Sequence, residues 1–228
     1  MLRIDIISVV PELLDSPLSY SIPGRAVKKG LAQIHVHDLR RYGLGSRQTV
    51  DDYSYGGDAG MVMMVEPVFN CIRHLQAQRH YDEIIYMAPD GEILDQGIAN
   101  ELSLKENLII LCGHYKGIDE RIREHLITRE ISVGDFVVSG GEIPAALLAD
   151  SIIRLLPGVL TDETSALSDS FQDGLVSPPV YTRPADFKGW KVPDVLLSGN
   201  PKLIRTWQDE QAVKRTQERR PKLLQEGQ

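Results

Sequence analysis

Short β-branched runs alternating with helix-spaced stretches restrict what this chain can fold into. Residues 3–10 form an apolar run closed by Pro11, residues 33–39 alternate in polarity, and residues 83–87, 107–112 and about 130–138 are further runs ended by glycine or proline. A strand of this kind is buried on both faces or on alternate positions. Helical spacing occupies 24–29, stopped by Gly30, and 66–79, where Pro67 suits the first turn. A third helix is capped by Asp119, with Ile118, Ile122 and Leu126 recurring every fourth position, and a fourth has Pro144 in its first turn and runs to Leu156. Strands alternating with helices predict an α/β fold with a mostly parallel sheet covered on both faces. His35 and His37 share one strand face, but two histidines without a third ligand do not define a metal site.

At 228 residues the chain exceeds one average domain. Residues 161–173 are rich in Ser, Asp and Thr, and beyond Val176 come several prolines and a polar helical tail over 201–224. The expected organisation is an α/β domain over 1–160, a linker over 161–175 and a small helical domain over 176–228. Residues 41–61 read as a long glycine-rich loop, the kind usually kept for function. Apolar residues make up 42% and charged residues 25%, which suits a packed globular chain. No stretch approaches the roughly 18 apolar residues of a membrane span. The N-terminus lacks the pattern of an export leader, and the two cysteines make neither a disulfide framework nor a zinc site. A cytoplasmic location is expected, with no membrane partner.

The net charge is −7, but its distribution is uneven. Residues 21–50 hold six basic residues against one acid, and residues 183–228 hold ten against six. Two basic islands on an acidic chain suit a polyanionic partner, or simply two solvated helical faces. Three strand-like runs end in tight turns at 88–91, 113–117 and 139–141, the place where parallel α/β sheets bind ligands. Neither G-x-G-x-x-G nor G-x-x-x-x-G-K-[ST] occurs, which argues against a dinucleotide or a nucleoside triphosphate.

The run Leu111-Cys112-Gly113-His114-Tyr115-Lys116-Gly117-Ile118-Asp119-Glu120-Arg121 resembles the CGRYEGIDER signature of the TrmD family, the bacterial tRNA (guanine-N1)-methyltransferases. The run from Ser132 through Gly134-Asp135, Gly140-Gly141-Glu142 and Pro144-Ala145 resembles the family's SIGDYVLTGGELPA segment. Thr49-Val50-Asp51-Asp52-Tyr53-Ser54-Tyr55-Gly56-Gly57 is similar to its TVDDxPYGG loop, and Asp169-Ser170-Phe171, Tyr181-Thr182-Arg183-Pro184 and Arg219-Arg220-Pro221 also match. The likeness spans essentially the whole chain in order.

That resemblance implies a SPOUT-type sheet with a deep trefoil knot and S-adenosylmethionine held by the three turns. It places the cofactor against Tyr86, Met87, Ala88 and Pro89 of the first turn and Gly113, Tyr115 and Gly117 of the second. From the third it enlists Ser132, Val133, Gly134, Asp135, Phe136, Val137, Val138, Gly140, Gly141 and Pro144. It further implies a homodimer whose active site lies at the subunit interface, and a tRNA anticodon stem-loop as partner. Methyl transfer is expected at N1 of the guanosine immediately 3′ of the anticodon. Guanine N1 is protonated near neutral pH, so a general base is needed; Asp169 takes that role by resemblance, with Arg154 stabilising the charge that develops on the base. Tyr53, Tyr55 and Trp207 are candidate stacking partners for loop bases, although Trp207 also suits the core of the small domain.

The chain departs from the family pattern at two neighbouring positions. His114 stands where Arg is usual, and Lys116 where Glu is usual. That glutamate is linked to magnesium dependence, and a lysine reverses the local charge, which counts against a cation beside it. Asp58, where the family has glycine, is one candidate for compensation. The competing readings are a methyltransferase acting on a different RNA and an RNA-binding protein of the same fold.

Overall fold

Strands β1 (Leu2–Ser8), β2 (Ala32–Asp38), β3 (Asp51–Tyr53), β4 (Met61–Met63), β5 (Glu83–Ile93), β6 (Asn107–Cys112) and β7 (Arg129–Ser132) belong to the first of two units, Met1–Thr161. Five of them form an all-parallel sheet in the order β2-β1-β6-β5-β7. The computed structural model describes residues 1–57, 59–160 and 169–224. Asp58 and residues 161–168 of the expected linker lie outside the described residues.

The sheet is covered on both faces, as the apolar runs require. In β6, Leu108, Ile110 and Cys112 point into one core with Ile4, Ile6, Ile85 and Met87. Helices α1 (Asp15–Ser19), α2 (Ser21–Lys28), α4 (Gln96–Ser103) and α6 (Glu142–Ile153) close that face through Leu18, Ala26, Leu102 and Ile152. Ile109 and Leu111 point the other way, with Ile7, Ile84 and Tyr86, beneath α3 (Val65–Gln76) and α5 (Glu120–His125). Each such fully buried aliphatic side chain stabilises the fold by about 1.5–3 kcal/mol.

The elements differ from the sequence expectation in instructive places. β1 stops at Ser8 because the Ser8 hydroxyl accepts from the Val10 N–H at 2.9 Å and turns the chain into a 3-10 segment, Pro11–Leu14. The expected loop 41–61 contains the antiparallel hairpin β3–β4. β5 does not end at residue 87 but runs on to Ile93, with a bulge that leaves both Met87 and Glu92 opposite Ile131. β7 is shorter than expected and ends at Ser132, where its side chain bonds the backbone of Gly134. Helix α4 was not expected; its signal is brief, an Asp95 cap donated to by the Ile98 N–H and one apolar pair, Ile98 and Leu102.

The second unit, Asp162–Gln228, holds the small hairpin β8 (Asp186–Phe187) and β9 (Trp190–Lys191), helix α7 (Asp194–Leu197) and the long helix α8 (Pro201–Arg219). Asn200 caps α8 by accepting from Lys202 and Leu203, with Pro201 in the first turn. The buried Thr216 hydroxyl of α8 accepts from the Val176 N–H, and Arg220 lies over the Phe171 ring at 5.3 Å, so residues 171–176 pack on this helix. Among the described residues no helix is long and apolar enough to cross a membrane.

One charged group is buried in the middle of β1. Asp5 is 0% exposed and accepts from Arg3 at 2.6 Å, His37 at 2.7 Å and Tyr81 at 2.9 Å. Burial pushes its carboxyl up, but the bonds from His37, Arg3 and Tyr81 outweigh burial and hold it well below the usual carboxylate range. A depressed carboxyl stabilises the fold at neutral pH, and that stability is lost as pH falls below the ordinary value. Asp5→Asn is therefore expected to cost about 3 kcal/mol near neutrality and to flatten acid destabilisation. Urea unfolding of both proteins at about pH 7 and about pH 3 measures this; equal stability at both pH values would remove Asp5 as the cause.

Candidate functional site

β6, β5 and β7 are neighbours in a parallel sheet, so their carboxyl ends open on the same edge. The bulge in β5 and the segments that leave β6 and β7 surround a cavity of about 440 Å³, within the usual range of ligand pockets, roughly 300–1,000 Å³. Glycines let these segments approach one another. The Gly141 N–H donates to the Gly113 carbonyl at 2.7 Å, and a Cβ at Gly141 would stand 2.7 Å from the Gly113 nitrogen. A Cβ at Gly113 would in turn strike the Tyr86 ring at 2.9 Å. At these two positions any side chain would push the three walls apart.

The structure gathers most of the expected cofactor residues around this cavity. Tyr86, Met87, Ala88 and Pro89 line it from β5 and its bulge, and Gly113, Tyr115 and Gly117 from the segment after β6. Ser132, Val133, Phe136, Val137, Val138, Gly140 and Gly141 line it from the segment after β7, with Pro144 from the first turn of α6. Gly134 and Asp135 do not line it. Gly134 has φ +146° and is covered by the Phe136 ring, so these two residues make the turn that brings Phe136 back over the cavity. Arg154, at the carboxyl end of α6, does not line it either; its N–H bonds the Asp150 carbonyl. Asp169 is half-buried at the start of the described part of the second unit.

Several lining residues escaped the sequence reading. Arg123 of α5 lies 5.6 Å above the Tyr86 ring and donates to Glu130 and to Asp90, each at 2.8 Å. The bond to Glu130, then that to Asp90, raises the Arg123 guanidinium further above its usual value, and Arg123 holds the Asp90 carboxyl below the usual range. Burial pushes the Tyr86 phenol up to about 12, so it stays a neutral donor. In sequence Arg123 is one charged residue on a short amphipathic helix, and nothing local separates it from a solvated face. Asp90, Glu120, His114, Lys116, Ile118, Ile131 and Ser139 also line the cavity.

The second wall is braced by the 61–64 segment. Lys116 N–H donates to Met61, Met63 N–H to Gly117 and Asp119 N–H to Met63, each at 3.0 Å. The Lys116 stem covers Gly60, where a Cβ would meet its Cγ at 2.7 Å. Behind this wall His114 Nδ1 stands 3.8 Å from Glu142 Oε2, and Glu142 is 1% exposed. Glu142 Oε1 accepts from the Ser8 hydroxyl at 2.7 Å. Among the described residues, no three His, Cys, Asp or Glu side chains converge as metal ligands. Tyr53 and Tyr55 are exposed on and beside β3, and in the second unit Trp207 is half-buried with its ring centroid 6.5 Å from that of Tyr181.

Replacing Arg123 with Met keeps the length and removes the charge. It is expected to lower stability by about 1–2 kcal/mol and to speed amide exchange over residues 88–91. Exchange at the parent rate would show that the bulge holds itself.

The family model described as tRNA (Guanine-1)-methyltransferase TrmD matches residues 2–226. The tRNA (guanine-N(1)-)-methyltransferase of Flavobacterium johnsoniae is 60% identical over 225 residues, which is 99% of this chain and 100% of that protein. The protein of the same description from Cytophaga hutchinsonii is 61% identical over 224 residues, 98% of this chain and 95% of that one. That from Bacteroides thetaiotaomicron is 59% identical over 225 residues, 99% of this chain and all of that one.

Proposed function

This chain belongs to the TrmD family of tRNA (guanine-1)-methyltransferases, and from that membership we propose that it moves a methyl group from S-adenosylmethionine to N1 of the guanosine immediately 3′ of the tRNA anticodon. The observation that carries the reading is the glycine-walled cavity at the carboxyl ends of β5, β6 and β7, in a chain matched by the family over residues 2–226.

The residues present fit an adenine nucleoside with an amino-acid arm. Met87, Val133, Phe136, Val137, Val138 and Pro144 offer apolar surface for a flat ring. The close-packed Gly113, Gly140 and Gly141 expose backbone N–H and C=O groups, which recognise ring edges and hydroxyls without side chains. Arg123 is already engaged by Glu130 and Asp90, so the pocket has no free guanidinium of the kind that would select a phosphate. S-adenosylmethionine supplies an electrophilic methyl on sulfur.

The remaining work falls to this chain's own groups. Asp169 removes the proton from guanine N1 onto a carboxylate oxygen, freeing the N1 lone pair for the methyl carbon; a positioned base of this kind contributes about 10²–10⁴-fold. Arg154 holds its guanidinium against the negative charge that moves onto the guanine oxygen. Exposed basic residues of α8, including Lys202, Arg205 and Lys214, supply phosphate contacts to the anticodon stem. Segment 161–175 joins the units and carries the base. The homodimer belongs to this reading and is supported by apolar residues left exposed in one chain, Val137 at 83%, Ile143 at 68% and Leu147 at 48%. The trefoil knot through the three segments is part of the same proposal.

Transfer of labelled methyl from S-adenosylmethionine to tRNA transcripts tests the function. Label is expected only in transcripts with guanosine after the anticodon; label in transcripts lacking it would point to another RNA target. Asp169→Ala should lower turnover about 10²–10⁴-fold with tRNA affinity nearly unchanged, read by single-turnover assay beside filter binding. A turnover within a few-fold of the parent would require a different base. Raising salt should weaken tRNA binding steeply and leave S-adenosylmethionine binding almost unaffected, and a flat tRNA response would remove the basic residues from recognition.

A further inference from the structure

We propose that His114 is a positioning residue for the pocket: its imidazole Nδ1–H pairs with the buried Glu142 carboxylate and locks the 139–141 wall against the 113–117 wall. The inference rests on the S-adenosylmethionine reading above.

Glu142 opens α6 and is 1% exposed. Its Oε1 is satisfied by the Ser8 hydroxyl, which itself accepts from the Val10 N–H. Its Oε2 and His114 Nδ1 are both buried and, among the described residues, have no hydrogen-bond partner. A buried carboxylate oxygen with nothing to accept from is costly, and so is a buried ring nitrogen with no partner. The two atoms lie 3.8 Å apart, and a proton on Nδ1 satisfies both at once as a charge-assisted pair. The gap admits no side chain: a Cβ at Gly140 would stand 2.4 Å from Glu142 Oε2 and 2.7 Å from His114 Nδ1.

The other groups around the ring leave this pairing to Glu142. The Tyr115 ring meets the imidazole edge-on at 4.9 Å, and its hydroxyl is engaged by Asp51 and Arg40. The Cys112 thiol on β6 is raised well above its usual range by burial and then by the Glu142 charge, so it brings no second anion. Lys116 lies along Gly60 and brings positive charge only.

The pair bears on ligand binding because its two ends belong to different walls. His114, Gly140, Gly141 and Pro144 all line the cavity, and Glu142 sits between the last two in sequence. The Gly141–Gly113 hydrogen bond joins the same walls through the backbone, and the His114–Glu142 pair joins them a second time through side chains. Removing the donor at Nδ1 should therefore loosen the two walls and lower affinity for S-adenosylmethionine.

Calorimetric binding of S-adenosylmethionine to the parent, His114→Asn and His114→Leu tests this. Asparagine can place an N–H close to where Nδ1 stands, so His114→Asn should bind within about twofold of the parent, whereas His114→Leu should bind about three- to tenfold more weakly. A His114→Leu variant that binds like the parent, or a His114→Asn variant as weak as His114→Leu, overturns the proposal. Amide exchange over residues 139–143 in the ligand-free proteins is a second readout: it should be faster in His114→Leu than in the parent and in His114→Asn, and equal rates in all three sink the pairing. If neither the parent nor His114→Asn binds S-adenosylmethionine, the cofactor reading fails by itself and the exchange rates still judge the pair.

Discussion

The hydrogen bond from the Gly141 N–H to the Gly113 carbonyl, 2.7 Å long, joins the segment leaving β6 to the turn that starts α6. A Cβ at Gly141 would stand 2.7 Å from the Gly113 nitrogen, and the Tyr86 ring fills the space a Cβ at Gly113 would need, so the two segments meet in this way only with glycine at both positions. From that contact follows the shape of the site. The bulge in β5 and the segments after β6 and β7 are drawn together over the sheet edge, and the cavity between them is faced largely by backbone and by residues that can lie flat against it. A sheet of parallel strands buried on both faces keeps those strand ends in register, so the apolar core is what holds the backbone groups in place.

Charge in the cavity is present but mostly engaged. Arg123 is shared between Glu130, Asp90 and the face of Tyr86, which fixes the floor without offering a free cation. This agrees with a sequence that lacks phosphate-binding glycine motifs. His114 and Lys116 both line the second wall, and the Lys116 stem packs over Gly60. His114 faces the one buried carboxylate oxygen that lacks a hydrogen-bond partner among the described residues.

Which parts were readable in advance follows from the range of the forces involved. β6 was legible to the residue because five consecutive apolar side chains followed by Gly113 admit little else, and the cap at Asp119 and the proline in the first turn of α6 are local signals with local causes. The bulge in β5 was read as a strand end, because Pro89 and Gly91 look like a turn until β7 is seen pairing on both sides of them. β7 was drawn too long because Phe136, Val137 and Val138 are β-branched or aromatic, yet here they face the cavity or solvent.

By itself the sequence determined the alternation of strands and helices, the glycine-bearing segments after β6 and β7 and, through collinear motifs, the family. All of these depend on periodicity, turn chemistry or residue identity, which act over a few neighbours in the chain. Only the tertiary structure decided that Arg123 stacks on Tyr86 from a helix thirty-seven positions later in the sequence, that Ser8 and Glu142 share a hydrogen bond across 134 residues, and that Glu142 meets His114 behind the cavity wall. Those contacts carry no local signature, because they are created by the sheet order that brings distant segments to one edge and by the burial that makes an unpaired polar atom costly.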